Sequence, residues 1–193
     1  MPRAMPTLRF LRTAAAILVV GTTASGCGYN QIQTLDEQTN NAKGQIQTQL
    51  QRRNDLIPNL VATVKGVAKQ ESTVFGNIAD ARAKMAGAIQ SGNVDSMGAA
   101  NAQLTAGLGR LIAISENYPE LRSSESFRQL QDQLEGTENR IAVARNDYNS
   151  SVNQYNAYIR RFPTNLTAKV FGYGTKSYFQ AEAGAQGVPT VKF

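Results

Sequence analysis

The sequence predicts an all-α protein: an antiparallel up-and-down four-helix bundle with long helices and an irregular C-terminal tail. Three observations carry that prediction. Apolar residues recur every seven positions from Phe127 to Phe162. An earlier apolar seam runs from Ile32 to Val67, and turn signatures at Ser91-Gly92-Asn93 and before Pro119 divide the chain between the two. Short links between long helices force antiparallel neighbours. The composition agrees, with 41% hydrophobic residues, only 7% aromatic and no Trp, a balance that suits helices better than strands.

The N-terminal element is read as an export signal. Arg3, Arg9 and Arg12 precede the apolar run Thr13–Val20, and small residues lead from Gly21 to Gly26 before Cys27, the three parts of a secretory leader. The uncharged stretch from Thr13 to Gly26 makes a helix of about 21 Å at 1.5 Å per residue, short of a hydrocarbon core of about 30 Å. Ala24-Ser25-Gly26-Cys27 resembles a bacterial lipobox, in which lipid is attached to the thiol and the leader is cut before it. Its two small residues match, whereas Ala24 stands where that pattern usually has Leu. Cys27 is the single cysteine and has no disulfide partner within the chain, which acylation also explains. An uncleaved signal anchor is the alternative, and both place the arginines in the cytoplasm and the rest of the chain across the membrane. The expected layout is a signal peptide over 1–26, a helical bundle over 27–163, and a short helix with an aromatic-containing tail over 164–193.

In the first mature segment the seam holds Ile32, Leu35, Ala42, Ile46 and Leu50, then resumes with Ile57, Leu60, Val61, Val64 and Val67. Pro58 either starts a new helix or kinks a long one. A third, Ala-rich segment runs from about Glu71 to Gln90 and stops at a Gly92 turn. The fourth, about Val94 to Tyr118, carries Met97, Leu104, Leu108, Leu111 and Ile114. Its Gly98, Ala102, Ala106 and Gly109 are small residues at helical spacing, read as close helix packing. The last seam places Phe127, Leu134, Ile141, Tyr148, Tyr155 and Phe162 at one heptad position and Leu130, Thr137, Ala144, Ser151 and Tyr158 at the other. Ser123 or Ser124 suits its N-cap, and Arg160 with Arg161 suits its C-terminal dipole. Beyond Pro163, two helical turns are expected from Asn165 to Phe171. Tyr178, Phe179, Val191 and Phe193 are expected to pack back on the bundle, with partner docking as the alternative.

Charge and chemistry bound the function. The formal net charge is +6, but without the three leader arginines it halves to +3, scattered among acids rather than focused in a stripe. That excludes the usual basis for nucleic-acid binding. The chain has no His, so zinc sites of the usual kind, Cys/His nucleophile pairs and Ser-His-Asp triads are unavailable; no cofactor or metal is expected. Carboxylates Glu135, Glu138 and Asp147 share a helix, and the first two lie three apart on one face, so a paired acid/base device is conceivable there. A salt-bridged face is the commoner outcome.

Arg53 falls where the heptad count expects an apolar residue. A buried guanidinium must be paired, so Arg52 or Arg53 is expected to bond one of Glu135, Glu138 or Asp147 and set the register of the first and last helices. The alternative is a side chain snorkelling to water.

Gln51-Arg-Arg-Asn-Asp-Leu-Ile-Pro-Asn-Leu-Val-Ala-Thr-Val-Lys-Gly66 and Leu134-Glu-Gly-Thr-Glu-Asn-Arg-Ile-Ala-Val-Ala-Arg-Asn-Asp-Tyr-Asn149 resemble the two signature stretches of the LemA family. The likeness continues through Ala81-Arg-Ala-Lys84, Leu108–Pro119, Phe162-Pro163, Phe171-Gly172 and Tyr178-Phe179, in order along nearly the whole mature chain. The resemblance implies a membrane-anchored, extracytoplasmic helical bundle with no established catalytic residues and a link to membrane organisation. Lys43 departs from it, standing where the family usually has Trp, and a lipid on Cys27 would replace the family's usual transmembrane helix. The expected function is therefore a noncatalytic scaffold or organiser at the bacterial envelope, held to membrane lipid through Cys27 and open to self-association. Its protein partner is unspecified, and Gly28 after the cysteine is similar to lipoproteins that move to an outer membrane. The alternative is an adaptor or regulator of a membrane protease or envelope enzyme; a carboxylate-based enzyme is the third.

Overall fold

The structure, a computed structural model, describes the backbone of residues 7–180 and the side chains of residues 28–180. The lipid attachment expected at the Cys27 side chain, the first residues of the leader and the tail residues Val191 and Phe193 lie outside that description. Every regular element among the described residues is a helix: α1 (Thr7–Val67), α2 (Ser72–Ser91), α3 (Val94–Ser115), α4 (Pro119–Ser123), α5 (Glu125–Ile159) and α6 (Thr164–Val170). The protein is an all-α helical bundle. Among the described residues no helix is long and apolar enough to cross a membrane.

The helix ends follow from local chemistry. Gly92 closes α2 at φ 63° in the left-handed region, where a side chain would be strained. Asn93 then caps α3, its Oδ1 accepting from Ser96 N at 2.9 Å. Ser124 Oγ accepts from Phe127 N at 3.4 Å and serves as the cap of α5. Helix α1 passes through Pro58 without a break, which resolves the choice between restart and continuation. Proline in a helix interior costs about 3 kcal/mol, but Ile57 and Leu60 on either side are buried to 1% exposure, each stabilising by about 1.5–3 kcal/mol.

The chain divides into two compact units. One unit holds the described residues up to Thr39 together with Ser151–Lys176; the other holds Asn40–Ser150 with the described residues from Ser177. Both α1 and α5 contribute to each because a buried stripe continues along each helix. In the first unit Ile32, Leu35, Tyr155, Ile159 and Ala168 form the core, with Tyr158 and Tyr173 packed against it. In the second, Ile46, Leu50 and Val64 of α1, Ile78 and Met85 of α2, Leu104 and Leu111 of α3, and Ile141 of α5 are all buried.

The α5 seam drifts from the strict heptad. Phe127, Leu134, Ile141, Tyr148 and Tyr155 are buried, yet Phe162 is 81% exposed and Val152 and Ile159 are buried instead. A straight helix turns every 3.6 residues rather than 3.5, so a heptad stripe slides off the packed face, and α5 ends at Ile159 before Phe162 is reached. Two Thr residues lie in the seams with their hydroxyls satisfied in place: Thr39 Oγ1 donates to Leu35 O at 2.8 Å and Thr137 Oγ1 to Gln133 O at 2.6 Å.

Candidate interaction site

Three helices of the second unit meet at a charge. Arg53 of α1 stands in the buried stripe at 5% exposure. Its Nη1 donates to Asn101 Oδ1 of α3 at 2.8 Å and lies 2.5 Å from Glu138 Oε2 of α5. Asn101 is 2% exposed, while the Glu138 side chain keeps 41% of its surface in water. The carboxylate oxygen that meets Arg53 is itself buried while the rest of the Glu138 side chain reaches water, an arrangement that anchors a helix register at the edge of the core.

The remaining residues expected at this cluster sit elsewhere. Arg52, one residue earlier, faces solvent. Glu135 is exposed and accepts from Gln131 Nε2 at 3.3 Å. Asp147 is exposed and lines a groove of about 920 Å³ between α1 and α5, with Asn41, Gln45, Asn139 and Arg140 among the other lining residues. Neither Glu135 nor Glu138 lines it; Glu135 is engaged by Gln131 and Glu138 by Arg53. Among the described residues no cluster of three or more Asp, Glu, His or Cys could hold a metal ion.

A smaller apolar recess of about 320 Å³ lies between α1 and α2, lined by Ile57, Pro58, Val61, Phe75 and Ile78 with Asn54 and Arg82. Asn54 is 3% exposed, and its Oδ1 has no hydrogen-bond partner. Pro58, four residues on, has no N–H to give the Asn54 carbonyl. At the far end of α2, Gln47 Nε2 donates to Ile89 O at 3.1 Å. A Cβ on Gly92 would come within 3.7 Å of Lys43 Nζ, so the Lys43 ammonium lies near the negative end of a helix dipole.

The tail is bound by side chains of α5. In the second unit Tyr148 OH donates to Ser177 O at 3.0 Å. Asn149 accepts from Phe179 N at 2.8 Å and donates to Phe179 O at 3.1 Å, pairing like a neighbouring strand. Phe179 is 3% exposed, with the Arg145 guanidinium 5.2 Å from its ring centroid and Gly98 leaving room for the ring. The close helix packing expected of the small residues is not what Gly98 serves, since it makes room for the tail, and Ala106 and Gly109 are exposed. Tyr178 remains 41% exposed. Burial, then the Asp95 carboxylate, pushes the Tyr148 phenol above its ordinary range.

In the first unit Asn156 repeats the device on Lys176, accepting from its N at 2.8 Å and donating to its O at 2.9 Å. Lys176 Nζ pairs with Asp36 Oδ1 at 2.8 Å and lies 5.1 Å from the Tyr155 ring centroid. Burial, then Asp36, raises the Tyr155 pKa. Tyr173 is raised by its hydrogen bond to Tyr29 first, then by burial, and Gln33 Nε2 donates to both hydroxyls. Gly28 is buried, and a Cβ there would stand 2.7 Å from Thr164 Cγ2.

Asn54, Asn101, Asn149 and Asn156 escaped sequence reasoning. Asn101 carried a signal: it occupies a seam position between Met97 and Leu104, where a polar residue asks for a partner.

The LemA family model matches residues 42–193. Magnetosome proteins MamQ 2 and MamQ 1 of Paramagnetospirillum magneticum are each 30% identical over 175 residues, covering 79% of this chain and 64% of their own length. Magnetosome protein MamQ of Magnetospirillum gryphiswaldense is 28% identical over 204 aligned positions, covering 92% of this chain and 75% of its own. The family match takes in the buried Arg53 and both of its partners, and the chain belongs to the LemA family.

Proposed function

We propose that the chain is a noncatalytic organiser at the bacterial envelope, held by lipid on Cys27 with its helical body outside the cytoplasm. The observation that carries this reading is the burial of Gly28. The residue after the expected acylation site is already packed into the fold, since a Cβ there would meet Thr164 at 2.7 Å, which keeps the anchor close to the body. Acyl chains contribute roughly 0.8 kcal/mol per buried CH₂, enough for several chains to hold the body at the membrane.

The interior supports a scaffold in place of an enzyme, since its buried charge is consumed in joining α1, α3 and α5. The MamQ relatives are named for the magnetosome, and a comparable organising role is proposed here for the envelope, with self-association as the simplest mode. Crosslinking in intact cells, read by mass spectrometry, tests it. Links from the full chain to its own copies or to integral membrane proteins are expected; links only to substrates of soluble enzymes, or none above background, would overturn it.

A further inference from the structure

We infer that the outward side of α6 and its flanks is a lipid-contacting surface seated in the headgroup region of an anionic bilayer. This deepens the anchoring reading and rests on it. Thr164 and Ala168 turn one side of α6 into the fold, at 9% and 3% exposure. Leu166 and Val170 each follow two residues later, about 200° around the helix, and are 54% and 79% exposed. Phe162 and Phe171 flank them at 81% and 56%. Seven large hydrophobic side chains are exposed among the described residues, and four of them fall within these ten positions. Such clustering marks a contact surface, whereas scattered exposed apolar residues need no explanation.

Charge selects the occupant. Arg160, Arg161 and Lys169 are exposed on the same segment, and no Asp or Glu occurs from Tyr148 to Gln180. Apolar and aromatic side chains bordered by cations able to snorkel are the pattern of an interfacial element facing anionic lipid. Position agrees. The Phe171 ring lies 4.8 Å from that of Tyr29, and Gly28 packs on Thr164. Cys27 precedes Tyr29 by two helical residues, about 3 Å of rise. The surface therefore lies beside the anchor, and whatever membrane the lipid enters, this segment meets first.

The chain has no Trp, so single reporters are clean. Phe162→Trp and Val170→Trp are placed separately in the full chain, reconstituted in phosphatidylcholine/phosphatidylglycerol vesicles with acyl-brominated lipid. Val143→Trp is the control, since Val143 is 60% exposed on α5. At an insertion depth of about 5–10 Å, the first two reporters shift to the blue and lose roughly half their emission to bromine, and the control does neither. Arg160→Glu with Arg161→Glu weakens the quenching. Reporters as wet as the control on protein that still floats with vesicles would overturn the surface and leave anchoring intact. Protein that does not float overturns both. A blue shift without bromine quenching would reassign the surface to a second copy or another protein.

Discussion

Removing the Glu138 carboxylate takes the counter-charge from a buried guanidinium that also bonds Asn101. Arg53 is 5% exposed, so its guanidinium has lost most of its hydration, and Asn101 at 2.8 Å and Glu138 at 2.5 Å are among the groups that replace it. Breaking a wholly buried pair from one side costs about 3–5 kcal/mol, and an exposed pair contributes about 0–1 kcal/mol. With 41% of the Glu138 side chain in water, Glu138→Gln falls between, at about 1.5–3 kcal/mol. Arg53→Met leaves Asn101 without its donor but lets Glu138 hydrate, a loss of about 1–2 kcal/mol. The double variant should match Arg53→Met alone, because a carboxylate with no cation to neutralise has little left to lose. Urea unfolding of all four proteins, followed by far-ultraviolet circular dichroism, gives a coupling of about 1.5–3 kcal/mol. Additive effects within about 0.5 kcal/mol would show that Arg53 does not rely on Glu138 and refute the register role.

Four other outcomes follow from single contacts. Asn54→Leu should raise stability by about 1 kcal/mol in urea, because it removes a buried oxygen without a partner; a loss of stability would mean that the oxygen is satisfied by water. Gly28→Ala should cost about 1–3 kcal/mol by overpacking against Thr164 Cγ2, and Thr164→Ser, which deletes that methyl, should restore most of it. Asn149→Ala removes two hydrogen bonds to Phe179, about 1–3 kcal/mol, and should speed amide exchange at Phe179 while leaving α2 amides protected. Raised Tyr148 and Tyr155 pKa values mean that the unfolded phenols, ordinary at about 10, ionise first. Stability is therefore intact below about pH 10 and falls as pH rises further, and Tyr148→Phe with Tyr155→Phe should flatten the fall in a urea-midpoint titration.

Much of this architecture was legible because burial imposes a period. Helices α2, α3 and α5 fall where apolar spacing and turn residues put them, and Arg53 drew attention because it interrupts a seam. Phe162 misled for a physical reason: the seven-residue repeat continues in sequence past Ile159, where the helix that would carry it ends. Pro58 was undecidable locally, since its cost is intrinsic while the burial of Ile57 and Leu60 that outweighs it is tertiary. The Asn side chains that bind the tail were invisible for the same reason. An amide looks alike whether it faces water or pairs with a backbone 20 or 30 residues away. Asn101 as the second acceptor for Arg53 also required knowing which turn of α3 meets α1.

The central claim is that a lipid on Cys27 holds the helical body at a membrane. Intact mass of the protein extracted from membranes tests it directly. A species starting at Cys27 and carrying the added mass of acyl chains is predicted. A species that keeps the arginine-bearing leader with an unmodified thiol would contradict it.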